Sequence, residues 1–224
     1  MQGHLETDTA MQTSMKQSTN VYTTTLLYQL TQRSIAVRQF VLIPGSINLL
    51  VQTLSELHNL SLLQPPELFQ GATCITMQMC TTTQLNICKI LCEVTHLEQF
   101  PQPVIGVLSN IFIIVGETLN TEVRQCAFHS VYNIAWEDNG QRLLVLRAGG
   151  LQIMANLIRM RRNDNRIVRS VVALLDRLLE FPWYAMAMFE LDFVDTLQLP
   201  TLSPRINDII ALLQLAATNP VYPP

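Results

Sequence analysis

Three side chains that could hold a metal ion recur at one-turn spacing: Cys88, Cys92 and His96. Spacing of i, i+4, i+8 puts them on one helical face, and thiolate and imidazole both suit zinc. Structural zinc closes on four ligands, usually from CxxC-type pairs, and no such pair or fourth ligand is evident. The competing reading treats the cysteines as small buried hydrophobes, and neither metal nor cofactor is expected. Catalysis finds even less support. The chain has four histidines and seventeen acids, but no GxSxG, no HExxH and no cysteine in a known nucleophile context. GxGxxG and the P-loop lysine are also missing. We assign no catalytic residue and read the chain as non-enzymatic.

Recognition chemistry is better represented. Gln125, His129 and Asn133 share one face by their i, i+4, i+8 spacing. Residues 121–135 align without gaps on 165–179 at an offset of 44. The stripe then maps onto Arg169, Ala173 and Arg177, and Glu122 maps onto Arg166. Two readings are open: a binding stripe, or the solvated face of two amphipathic helices. The run Arg159, Arg161, Arg162, Arg166 and Arg169 could touch phosphate. It lacks interleaved aromatics and any RNP-like pattern, so nucleic acid is not expected.

The elements that carry these residues read as helices. Apolar residues recur at spacings of three and four, with no sustained alternation. Val123, Ala127, Val131 and Ile134 make one stripe; Ile167, Val171, Leu174, Leu175 and Leu178 make another. Breaks fall at Pro44-Gly45, Pro65-Pro66, Asn139-Gly140, Gly149-Gly150, Pro182, Pro200 and Pro204. The helices are expected to be short, mostly two to four turns, and to bury their apolar faces by stacking. Residues 1–20 are polar and without helical periodicity, and are expected to form a flexible leader. Residues 21–217 form the helical domain, and 218–224 an extended Pro-rich tail.

Composition narrows the class. With 49% hydrophobic and 14% charged residues, the chain is too apolar for global disorder. Its net charge of −3 implies neither nucleic acid nor an acidic membrane. Residues 1–121 hold only four of fourteen Lys/Arg and seven of seventeen Asp/Glu. A surface so poor in charge is weakly protected against association, which hints that part of it is covered by a partner or by more chain. Five cysteines without diagnostic spacing, and no secretory signal, fit a reducing compartment, cytoplasmic or nuclear. The uncharged stretch 103–116 falls short of the roughly 18–20 apolar residues of a spanning helix. It is read as a buried helix, and no membrane span is expected.

One segment brings a resemblance into view. WEDNGQRLLVLRAGGLQIMANLI, residues 136–158, resembles the start of an armadillo repeat: a short helix, a Gly-Gly turn, then Leu/Ile-x-x-Leu-x-x-Leu-Leu. HSVYNIA, residues 129–135, is similar to the end of an armadillo third helix. The order short helix, tight turn, helix, longer helix occurs twice, at a period within the 40–47 residues of such arrays. The match is good over about 121–162, moderate to about 217, and poor over the first hundred residues.

The resemblance implies an all-α, right-handed armadillo-like solenoid of about four repeats, the first ones irregular. It implies a non-catalytic module that binds a protein segment on its concave third-helix face. The groove would be lined by Gln125, His129, Asn133, Arg166, Arg169 and Arg177. In such grooves the Asn133 amide would bond both N–H and C=O of an extended ligand backbone. Importin-like armadillo proteins place Trp where this chain has His129, and Asn where it has Arg177. The implied ligand is therefore an acidic or backbone-polar segment. A regulator of the armadillo-type Hsp70 co-chaperone kind, and a structural subunit of a cytoskeletal, ciliary or ribonucleoprotein assembly, stay open as alternatives.

Overall fold

The computed structural model describes residues 2–63, 72–95, 105–137, 139–161, 165–198 and 205–218. Among these, every regular element is a helix: α1 (Gln2–Arg33), α2 (Ile35–Val41), α3 (Pro44–Leu63), α4 (Ala72–Val94), α5 (Ile105–Glu117), α6 (Thr121–Glu137), α7 (Asn139–Arg147), α8 (Gly150–Arg161), α9 (Asn165–Leu178), α10 (Pro182–Glu190), α11 (Phe193–Leu197) and α12 (Arg205–Thr218). The expected all-α class is observed. The chain divides into two compact units: Met1–Pro103 with Glu117–Ser130, and Val104–Gly116 with Val131–Pro224.

In the first unit α1 packs along α4, α3 packs on α4, and α2 touches all three. The core is aliphatic: Val51, Leu54, Ile87, Ile90, Leu91 and Val94, joined by Val123 and Phe128 from the start of α6. Ser34 ends α1 and begins α2. Its backbone is extended, and its hydroxyl accepts from the Val37 N–H at 3.4 Å, satisfying one of the free first-turn donors. Arg38 then turns back to donate to the Thr31 and Gln32 carbonyls at 2.5 and 3.1 Å. It also pairs with Glu93 of α4 at 3.9 Å. The buried His58 of α3 is tied to Glu117 by a 3.1 Å bond from Nε2.

Two expectations differ from what is observed here. A flexible leader was expected over 1–20, yet α1 is one helix from Gln2 to Arg33. The sequence from 4 to 33 has no Pro or Gly to break it. Polar Gln17, Thr24 and Thr31 are its buried residues from 17 onward, and polar residues at buried positions hide a helix from pattern reading. Ser18 donates to the Met79 sulfur at 3.6 Å, and Asn86 donates to Thr25 at 2.9 Å and Thr24 at 3.4 Å. Nor are these helices short: α1, α3 and α4 have 32, 20 and 23 residues. The break at Pro65-Pro66, His96, and the tail beyond Thr218 lie outside the described residues.

The second unit centres on residues 105–116 of α5. Leu108, Ile111, Phe112, Ile114 and Val115 are buried, as expected of the uncharged stretch. No single helix among the described residues is long and apolar enough to cross a membrane. The two adjacent glycines do different work. Gly149 has φ 78°, a left-handed conformation that a Cβ makes costly. Gly150 is ordinary in φ but buried. A Cβ there would lie 2.6 Å from Phe112 Cζ and 2.7 Å from the Val145 carbonyl oxygen. Asp192 is the one non-glycine with positive φ among the described residues, at 57°. It sits 43 positions after Gly149, between α10 and α11 as Gly149 sits between α7 and α8. A left-handed residue thus follows the first of three successive helices in both α7–α8–α9 and α10–α11–α12, although α11 has five residues where α8 has twelve.

Candidate protein-binding face

α9 is the most strongly two-sided element. Ile167, Val168, Val171, Val172, Leu174, Leu175 and Leu178 are buried, while Arg166, Arg169 and Ala173 are exposed and Arg177 is partly so. Helical spacing of three and four places these last four on one line, roughly 16 Å long from Arg166 to Arg177. Three of the expected groove residues therefore do share a face. No ion pair holds Arg169 among the described residues.

The α6 stripe is placed differently. His129 is exposed and Gln125 half-buried, with its Nε2 buried and unpartnered. Asn133 is only 5% exposed. Each i+4 step overshoots a turn by about 40°, so two steps carry the third member about 80° around the helix. That rotation takes Asn133 into the packed side, and the expectation that it lines an open groove is corrected. The exposed line on α6 instead steps by three and four, and ends at Tyr132 and Trp136.

Those two aromatics, which sequence reading passed over, belong to the second unit and organise the site. Their rings stand 5.4 Å apart, and Trp136 is 49% exposed. The Arg177 guanidinium lies 4.4 Å from the Trp136 ring centroid, a favourable cation–π contact. It also pairs with Glu180. Beneath them the buried Arg142 closes the end of α6. It donates to the Ala135 carbonyl at 2.8 Å and the Trp136 carbonyl at 3.3 Å, and pairs with Glu180 at 3.3 Å. Its guanidinium stacks on Phe181 at 4.8 Å. A cation at a helix C-terminus meets the unsatisfied carbonyls and the negative end of the dipole. Burial lowers the Arg142 pKa, with Arg177 adding repulsion and Glu180 opposing both. The signal that could have found this cluster is the i, i+4 aromatic pair within 132–136.

The arrangement offers charge and an aromatic plate. Among the described residues no group of three or more His, Cys, Asp or Glu could hold a metal ion. Burial pushes the thiols of Cys80, Cys88 and Cys126 up, away from the reactive thiolate. The chain matches no family model, and no curated protein or solved structure is significantly similar to it.

Proposed function

We propose that the chain is a non-catalytic protein-binding module, an armadillo-like right-handed helical solenoid of about four repeats, that holds an extended acidic segment of another protein. The observation that carries this reading is the row of Arg166, Arg169 and Arg177 on α9, with Trp136 stacked at its end. Arginine offers planar, fixed donors to carboxylates, and Trp and Arg dominate the energetics of protein interfaces. The two runs of three helices, each with a left-handed residue after its first helix, support the repeat architecture. A cytoplasmic or nuclear setting goes with this reading.

The test is binding of a fluorescent, extended Glu-rich peptide by anisotropy. Wild type binds, and Arg166→Glu with Arg169→Glu abolishes binding while circular dichroism stays unchanged. Equal binding by the folded double variant sinks the proposal. The second reading, a structural subunit of a larger assembly, is favoured by the exposed Met15, Tyr22, Leu26, Ile35 and Phe40 of the first unit. A subunit of that kind is poorly soluble alone and is rescued by co-expressed partners.

A further inference from the structure

α1 is turned inside out relative to an ordinary amphipathic helix. Its side against α4 buries Gln17, Thr24 and Thr31. Its outer side exposes Gln12, Met15, Thr19, Tyr22, Leu26 and Gln29. The steps along that outer line are three, four, three, four and three, which is the 3.5-residue period of a coiled-coil seam. Met15, Tyr22 and Leu26 are 62%, 76% and 58% exposed. Residues 17–32 contain no Asp, Glu, Lys, Arg or His.

We propose that this seam pairs with the same seam of a second copy, antiparallel, about a two-fold axis passing between residues 20 and 21. The pattern is complementary to itself in that register. Gln12 faces Gln29, Met15 faces Leu26, and Thr19 faces Tyr22, each pair occurring twice, as an isologous interface requires. Tyr22 lies against Thr19 at the middle, Met15 meets Leu26 as an apolar pair on either side, and the glutamine amides at both ends can bond each other and hold the register, as polar seam positions do. Nothing ionised interrupts the central stretch, so two copies approach without like-charge repulsion. Lys16 of one copy falls level with Thr25 of the other, rather than with a cation.

The experiment is sedimentation equilibrium of the full chain at about 50 μM, beside Leu26→Glu and Tyr22→Lys. Wild type is expected at twice the 25.3 kDa chain mass, with dissociation constants raised about a hundredfold in each variant, since symmetry places every change twice. Both positions are exposed, and unchanged circular dichroism shows that the fold is retained. Register is read by mixing Met15→Cys chains with Leu26→Cys chains. A rapid disulfide in that mixture, faster than in either variant alone, supports the antiparallel pairing. A wild-type monomer overturns the proposal, as does a dimer indifferent to both substitutions. So does a monomer that binds zwitterionic lipid vesicles through Leu26.

Discussion

Arg177, in the last turn of α9, holds its guanidinium 4.4 Å from the ring centroid of Trp136, in the last turn of α6. The contact keeps an aromatic plate flat at the end of a row of arginines. Trp136→Ala is expected to weaken acidic-peptide binding by about tenfold or more, in the range of interface hot spots. It should cost only about 0.5–1 kcal/mol of stability, as an exposed cation–π contact does. Anisotropy titration and urea unfolding separate the two effects, and a stability loss several times larger would mean that Trp136 serves the core instead.

Arg142→Ala should be far more disruptive than Arg166→Ala. The buried guanidinium serves two carbonyls of α6 and the Glu180 carboxylate. Charged hydrogen bonds contribute about 1.5–3 kcal/mol each, whereas exposed charges contribute close to nothing. Arg142→Lys should recover little, because an ammonium cannot span both carbonyls and the carboxylate. Urea midpoints of the three variants decide the matter; equal midpoints would remove Arg142 from its place as the end-cap of α6.

The glycine pair separates two kinds of constraint. Gly149→Ala meets open space but a left-handed backbone, costing about 1 kcal/mol. Gly150→Ala meets Phe112 and Val145 below 3 Å, and overpacking of that kind costs about 1–3 kcal/mol. Phe112→Leu should relieve part of the Gly150→Ala penalty and none of the Gly149→Ala penalty. A double-mutant cycle on thermal unfolding measures this, and additivity in both pairs would contradict the packing account.

Alkaline pH should destabilise the fold. Burial raises the pKa of the Cys88 thiol above its ordinary 9.0 and that of the Tyr184 phenol above its ordinary 10.0. The folded state therefore keeps protons that the unfolded state releases. The stability is fully present below the ordinary values and is lost as pH rises through them toward the folded ones. Unfolding midpoints measured from neutral pH upward should fall, and Cys88→Ala with Tyr184→Phe should flatten the fall. The same slope in the double variant would assign the effect to other groups.

Asn133→Ala is expected to lower stability and to leave peptide affinity per folded molecule unchanged, since the side chain is 5% exposed. The reverse outcome, intact stability with lost binding, would return Asn133 to an open groove.

The sequence by itself determined the helical class, the two-sidedness of α9, the buried α5 and the glycine turn. Each of these depends on local periodicity or on one residue's backbone freedom. The line Arg166, Arg169 and Arg177 was legible for the same reason. The α6 stripe was half legible, because spacing decides which residues are neighbours while the packed side is chosen by other helices. α1 was missed because its buried face is polar. Ser18, Thr24 and Thr25 gain their partners only when α4 brings Met79 and Asn86 to them. Arg142 carries no local signal of burial, and its place is made by the end of α6 and the residues after α9 that converge on it. Only the tertiary structure could decide these, since burial and hydrogen-bond partners are set by residues distant in sequence.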